Sequence, residues 1–193
     1  MTTQEQPSKT RYDHAQDFVT DVLRLCEDPG KRAALRSGLG RPMDRCQRMH
    51  QAIAWRVPRG RDSSERAYYA VAAMIASLPP QARGAGGPSQ RNFGTCLAEG
   101  VGRVLREQAV EARLSLLTRQ SVDGVHRHLP SAVRVLSDRP SAVDWAQLLL
   151  DLCDWEDYRD QVTRRWLQSF YRTRYAAERE AAQAADGEEH DSE

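Results

Sequence analysis

Apolar residues recur every three or four positions along almost the whole chain, which is the spacing that places them on one face of an α-helix. No segment shows the alternation of a half-buried strand or the turn of a β-hairpin. A first helix is predicted over about residues 13–27, where Phe18, Val22 and Leu25 share a face. The pattern therefore predicts an all-α protein with about nine helices.

Several local signals predict where helices begin, bend or end. Asp28 followed by Pro29 predicts a capped second helix with proline in its first position. The apolar spacing predicts an unbroken third helix over residues 42–57. Pro130 is expected to bend or restart the seventh helix, because proline removes a helical hydrogen bond.

Capping residues mark the starts of three further helices. Asp62 with Glu65 three positions later predicts a capping box at the fourth helix, and Ser141 with Asp144 predicts another at the eighth. Asn92 is predicted to cap the fifth helix.

The segment PPQARGAGGPSQR, residues 79–91, contains prolines and glycines that cannot continue a helix. We interpret it as a linker loop between two small helical bundles. The expected organisation is an N-terminal lobe over residues 12–78 and a C-terminal lobe over residues 92–175.

Composition indicates a globular protein of the cytoplasm. The apolar fraction of 40% and the charged fraction of 28% are ordinary for such proteins. No apolar stretch is long enough to cross a bilayer, and residues 1–17 lack the apolar segment of a signal peptide. We expect cytoplasmic localisation and four buried free thiols at Cys26, Cys46, Cys96 and Cys153.

The net charge of +1 hides a segregation of charge. Residues 176–193 contain seven acids and one arginine, whereas the rest of the chain holds 27 bases and 20 acids. We expect the last helix to begin near Asp157 and end at about Ala185, and residues 176–193 to form an acidic disordered tail too polar to pack.

Candidate catalytic and metal motifs are weak. Cys46 and His50 have the spacing of two zinc ligands, but no second pair accompanies them. The glycine-rich loop lacks the Lys-Ser/Thr pair of a phosphate-binding P-loop. An acidic group lies near the start of the last helix and consists of Asp151, Asp154, Glu156, Asp157 and Asp160. Ion pairing with arginines and the favourable helix dipole explain these acids without catalysis. We expect no enzymatic activity, no metal site and no cofactor.

Basic residues form the remaining candidate site. Of the 28 bases, 26 are arginine; a GC-rich genome explains that ratio but not the clustering. One series lies between Lys31 and Arg66, where Arg41, Arg45 and Arg48 are predicted to share a helix face. The second series comprises Arg103, Arg106, Arg113, Arg119, Arg127 and Arg134. Because guanidinium groups bind phosphate and no groove-reading helix is evident, we favour sequence-independent binding to a nucleic-acid backbone.

The segment VDWAQLLLDLCDWEDYRDQVTRRWLQSFY, residues 143–171, resembles the closing signature of the small subunit of the type I-E Cascade complex, the CasB family. The matching positions are Asp144, Trp145, Trp155, Trp166, Phe170 and Tyr171. NFGTCLAEGV and EARLSLLTRQSVDGVHRHLPSAVRVL resemble two further family segments, in the expected order. The resemblance covers roughly residues 15–175.

This resemblance implies a non-catalytic, two-lobed helical subunit of an RNA-guided antiviral complex that stabilises the R-loop. The implied partners are the CRISPR guide RNA, both strands of the target DNA, the backbone and large Cascade subunits, and a second copy of the chain. Family positions combined with the second basic series predict a nucleic-acid-binding set of Arg32, Arg36, Arg66, Arg113, Arg119, Arg127 and Arg134. A free-standing helical regulator of duplex DNA and a structural adaptor without nucleic-acid contact are the alternatives.

Overall fold

The computed structural model describes residues 9–84, 90–101, 106–137 and 143–190, with side chains as far as residue 186. These residues form ten α-helices and no β-strand, so the predicted all-α class is confirmed. The helices are α1 (Arg11–Leu25), α2 (Pro29–Arg36), α3 (Gln47–Ile53), α4 (Asp62–Ser77), α5 (Pro80–Arg83), α6 (Phe93–Gly100), α7 (Glu107–Thr118), α8 (Val122–Arg134), α9 (Trp145–Cys153) and α10 (Trp155–His190). Among the described residues, no helix is both long and apolar enough to cross a membrane.

Helix α4 occupies the centre of the molecule. It packs against α1, α2, α8 and α9, so both halves of the chain meet on it. Its first five residues are polar, but residues 67–76 are apolar or aromatic all round, with Val71, Ala72 and Ile75 fully buried, as expected of a helix enclosed by others. The buried side chains of all ten helices form one continuous core, and the two-lobe division of residues 12–78 and 92–175 stays a prediction.

The cap predictions are confirmed where an oxygen-bearing side chain directly precedes the helix. Asp28 accepts hydrogen bonds from the backbone N–H groups of Gly30 and Lys31, and Pro29 is the first residue of α2. Asn92 caps α6 by accepting from the N–H of Thr95 at 3.2 Å.

Neither capping box has the predicted form. Asp62 is the first helical residue of α4 and does not cap it, so that prediction is wrong; Glu65 reaches back to the N–H of Gly60 at 3.1 Å. Asp144 is itself the cap of α9 and accepts from the N–H of Gln147 at 2.9 Å. Ser141 lies outside the described residues.

The prediction of an unbroken third helix is also wrong. Short 3₁₀ helices at Met43–Arg45 and Ala54–Arg56 flank α3, and Cys46 has the non-helical angles φ −116° and ψ 47°. The break places Arg41, Arg45 and Arg48 on different local structures, so they do not share one helix face.

Two of the later helices continue past predicted interruptions. Pro130 lies within α8, which runs on to Arg134, so the helix does not restart there. In α10 a kink at Tyr158, with φ −125°, precedes the long uninterrupted part of the helix, which therefore begins close to the predicted Asp157. The helix then passes the predicted end at Ala185 and reaches His190, because its alanine and glutamate residues are strong helix formers even where nothing packs against them.

Helix α6 lies directly against α10, and Trp166 is the centre of this contact. The Trp166 ring is fully buried, with ring centroids 5.3 Å from Phe93 and 5.1 Å from Trp155. Its indole N–H donates to the buried carboxylate of Asp151, which also accepts from Gln147 at 2.8 Å. Gly94 allows the two backbones to meet, since a Cβ at this position would overlap the carbonyl oxygen of Trp166.

We predict that Gly94→Ala destabilises the protein by about 2 kcal/mol, measured as the free energy of unfolding in urea. Because the new Cβ would overlap backbone, forcing the helices apart is expected to cost about 3 kcal/mol, the upper end of the range for overpacking, and the roughly 1 kcal/mol by which alanine favours a helix offsets part of this cost. Gly124→Ala is the matched control, because its new Cβ would meet the flexible side chain of Gln120 instead of backbone. Equal stabilities of the two variants would contradict this account of the packing.

Candidate nucleic-acid interface

Four of the seven predicted nucleic-acid-binding residues are exposed and make no ion pair with the residues that the structure describes. They are Arg36, Arg119, Arg127 and Arg134. Arg36 lies in the last turn of α2 and Arg119 directly follows α7. Their guanidinium groups are therefore available to an anionic partner.

Arg32 and Arg113 are half-buried, and each donates to the backbone. The Nε–H of Arg32 donates to the carbonyl of Ala76 at 3.3 Å, which joins α2 to α4. Arg113 donates to the carbonyl of Ala109, one turn earlier in α7, at 2.8 Å. These contacts give both arginines a structural role, which the sequence pattern did not predict.

Three arginines from distant parts of the chain converge on one cavity. Arg41 comes from the loop after α2, Arg66 from the first half of α4, and Arg127 from α8. Arg66 forms an ion pair with Asp123, whose pKa is lowered by that guanidinium. Arg134 lies two helical turns after Arg127, so the exposed arginine face of α8 extends beyond the cavity. Arg103 lies outside the described residues.

His126 lies within this cavity and was not recognised from the sequence as a site residue. It is 8% exposed, and neither ring nitrogen has a hydrogen-bond partner among the described residues. Burial, with a smaller contribution from Arg66, lowers the pKa of His126 to about 4. A signal was present, because His126 shares the apolar stripe of α8 with Val125 and Leu129.

The other polar groups that the sequence offers as candidate metal ligands or catalytic residues have structural partners. Both ring nitrogens of His50 are engaged: Nε2 donates to the carbonyl of Met43 at 3.0 Å, and Nδ1 accepts from the Tyr69 hydroxyl at 2.7 Å. Within the described ranges, no group of three or more His, Cys, Asp or Glu side chains could hold a metal ion. The acidic group near α10 is largely paired with arginines, through Arg165–Asp151, Arg11–Asp154, Arg61–Asp157 and Arg159–Asp160.

The four cysteines are free and buried, as predicted. Burial raises the pKa of the Cys96 thiol to about 11 and that of Cys153 to about 12. Cys96 and Cys153 are therefore neutral thiols at physiological pH.

One exposed aromatic residue stands apart from these groups. Trp55 is 69% exposed, and the guanidinium of Arg56 lies over its ring at 5.4 Å from the centroid. The indole N–H donates to the carbonyl of Ala52, and Arg56 pairs with Asp21, so the exposed ring is held in place from two sides.

Comparison with known proteins identifies the family. Residues 31–171 match the family model of the CRISPR-associated protein Cse2. A chain of a solved structure described as a CRISPR RNA-guided surveillance complex is 37% identical, with a TM-score of 0.80 over 89% of this chain and 99% of that one. CasB from Thermus thermophilus is 25% identical, with a TM-score of 0.66 over 81% of this chain and 97% of its own. CasB from M. ruber, at 21% identity and a TM-score of 0.67, shares the fold over 91% of this chain and 99% of its own. No curated protein matches the sequence.

The chain belongs to the CRISPR-associated Cse2 family, because the family model spans most of its length and a relative of known structure is more than one-third identical. The resemblance to the CasB family, drawn from residues 143–171 and the two segments before them, is confirmed.

We predict that the stability of the protein falls as the pH is lowered from about 6.5 to 4, and that His126→Phe removes part of this fall. The pKa of His126 is about 4 in the folded protein, against 6.5 for an unperturbed imidazole, so in this window the unfolded chain binds a proton that the folded chain does not. The full effect is about 3 kcal/mol, and urea unfolding at several pH values measures it. His128→Phe on the same helix is the control, and an unchanged pH dependence in His126→Phe would show that the ring does not titrate as described.

Proposed function

We propose that this Cse2-family chain is a non-catalytic subunit of an RNA-guided DNA surveillance complex, where it binds nucleic-acid backbone and stabilises the R-loop. The observation that carries the proposal is the convergence of Arg41, Arg66 and Arg127 on one cavity, continued by exposed Arg134. A chain 37% identical to this one belongs to a structure described as a CRISPR RNA-guided surveillance complex, which supports the assignment.

The mechanism is electrostatic. Arginines hold phosphates through charge-assisted hydrogen bonds and release the counterions condensed on the nucleic acid. Such contacts hold the guide RNA–target DNA hybrid and the displaced strand in place, while base pairing between guide and target supplies the sequence selection. No bond is made or broken by the chain. Its proposed partners are the guide RNA, both target strands, the backbone and large subunits of the complex, and a second copy of itself.

We predict that Arg127→Ala combined with Arg134→Ala weakens binding to single-stranded DNA and makes it less dependent on salt. If the wild-type chain engages about four phosphates, the slope of log affinity against log salt is near −3, and each lost contact reduces its magnitude by about 0.7. Titration of a labelled oligonucleotide at several salt concentrations measures the slope.

The matched control for this double variant is Arg24→Ala with Arg159→Ala, since these exposed arginines already pair with Asp21 and Asp160. A flat salt response of the wild-type chain, or equal slopes for both double variants, would contradict backbone binding by α8. Sequence-specific binding of the isolated chain to duplex DNA would favour the free-standing regulator.

The exposed Trp55 favours a second role, contact with another protein subunit, at a different place on the molecule. Tryptophan and arginine are enriched among the residues that dominate protein interfaces, and this pair is already held in position before a partner arrives.

We predict that Trp55→Ala weakens assembly with the other subunits by about thirtyfold, which corresponds to about 2 kcal/mol. Co-purification with a tagged complex, followed by titration of the isolated subunit into a complex lacking it, measures the effect. Tyr175→Ala removes another exposed ring and is the control. Normal assembly together with weakened oligonucleotide binding by the Trp55 variant would assign the ring to nucleic acid instead.

A further inference from the structure

The cavity between the loop after α2, helix α4 and helix α8 has a volume of about 290 Å³. Its lining divides into two chemically different parts. Buried apolar side chains, among them Met49, Met74 and Leu129, form the inner part. Arg41 and Arg127, which are exposed, and the half-buried Arg66 belong to the outer part. The cavity is therefore an apolar chamber with a basic rim.

His126 adds an unsatisfied polar group to the buried part of this lining. Its two ring nitrogens lack partners among the described residues, and the ring is neutral at physiological pH because of its lowered pKa. A neutral imidazole offers one hydrogen-bond donor and one acceptor. Leaving both unpaired in a buried place disfavours the folded state, so a ligand that pairs with them gains binding energy.

The apolar chamber, the basic rim and the unpaired nitrogens of His126 together restrict the kind of ligand that fits the cavity. A flat heteroaromatic base has apolar faces for the methionines and leucine, and donors and acceptors on its edge for His126. A nucleotide also carries a phosphate, which the rim arginines can bind. An isolated inorganic anion would use only the rim, and an apolar side chain of another protein would use only the chamber. The volume lies near the lower limit of about 300 Å³ for small-ligand pockets, which suits one base.

We propose that the cavity receives a single unstacked nucleotide of the bound strand, with its base beside His126 and its phosphate between Arg41, Arg66 and Arg127. This inference rests on the proposed binding of single-stranded nucleic acid along the arginine surface. Asp123 shares Arg66 at the rim and would repel the arriving phosphate, so Arg66 exchanges a carboxylate partner for a phosphate partner. The strand is thereby held by a base as well as by its backbone.

The test compares two probes of equal length, an oligothymidylate and an abasic oligodeoxyribose phosphate, which present the same phosphates with and without bases. The full-length wild-type chain is expected to bind oligothymidylate about tenfold more tightly, the size of effect that one held base produces. Fluorescence anisotropy of end-labelled probes at low salt measures both affinities.

Two variants then locate the source of this preference. Ala70→Phe places a ring in the cavity from the half-buried Ala70 on α4, and is expected to reduce oligothymidylate binding to the abasic level while leaving abasic binding unchanged. His126→Phe keeps the approximate shape of the side chain but removes both nitrogens, and is expected to reduce the preference severalfold with the fold intact by thermal melting. Ala177→Phe on the exposed part of α10 is the matched control and is expected to retain the tenfold preference.

The outcomes separate this inference from the proposed function. Equal wild-type affinities for the two probes would overturn the nucleotide site while leaving backbone binding intact. A preference that survives in both Ala70→Phe and His126→Phe would also overturn it and would place base contact elsewhere, with the exposed Trp55 the first position to examine. Binding of neither probe at low salt would overturn both proposals together.

Discussion

The contact of α6 with α10 around Trp166 is the constraint on which the second half of the molecule depends. The indole ring packs against Phe93 and Trp155, its N–H binds the buried carboxylate of Asp151, and its backbone lies where Gly94 leaves room. One residue thus ties α6, α9 and α10 together. Because α9 also packs against α1 and α4, this arrangement determines how the later helices meet the central helix that carries Arg66.

Much of the fold could be predicted from local patterns, since helix period and direct capping act over a few residues. Asp28 and Asn92 cap the expected helices because each stands immediately before an apolar stripe. Local reasoning failed at two helix starts. Asp62 joins the helix instead of capping it, and the chain at Cys46 leaves helical geometry although the apolar spacing continues. The polarity of residues 176–190 suggested disorder, but they continue α10, because their alanine and glutamate residues favour a helix even where nothing packs against them.

The candidate site was less predictable, because it depends on how distant elements cross. Sequence clustering identified Arg66 and Arg127 as basic residues, yet only the crossing of α4 and α8 places them with Arg41 on one cavity. Whether an arginine faces solvent is likewise decided by its tertiary neighbours, as the bond of Arg32 to a carbonyl of α4 shows. The place of His126 on the apolar stripe of α8 indicated a buried polar side chain, but only the crossing of α4 and α8 shows that a cavity opens beside it.

The four buried cysteines give the molecule a set of internal reporters. Cys26 follows α1, Cys46 precedes α3, Cys96 lies in α6 and Cys153 ends α9, so each samples a different part of the core. Their thiols are shielded, and burial raises the pKa of Cys26, Cys96 and Cys153, which suppresses the reactive thiolate. Alkylation therefore requires local unfolding that exposes the sulfur, so the alkylation rate at each cysteine reports how often the surrounding segment opens. Without any engineered cysteine, the chain carries the means to map which helices open first when it binds, assembles or unfolds.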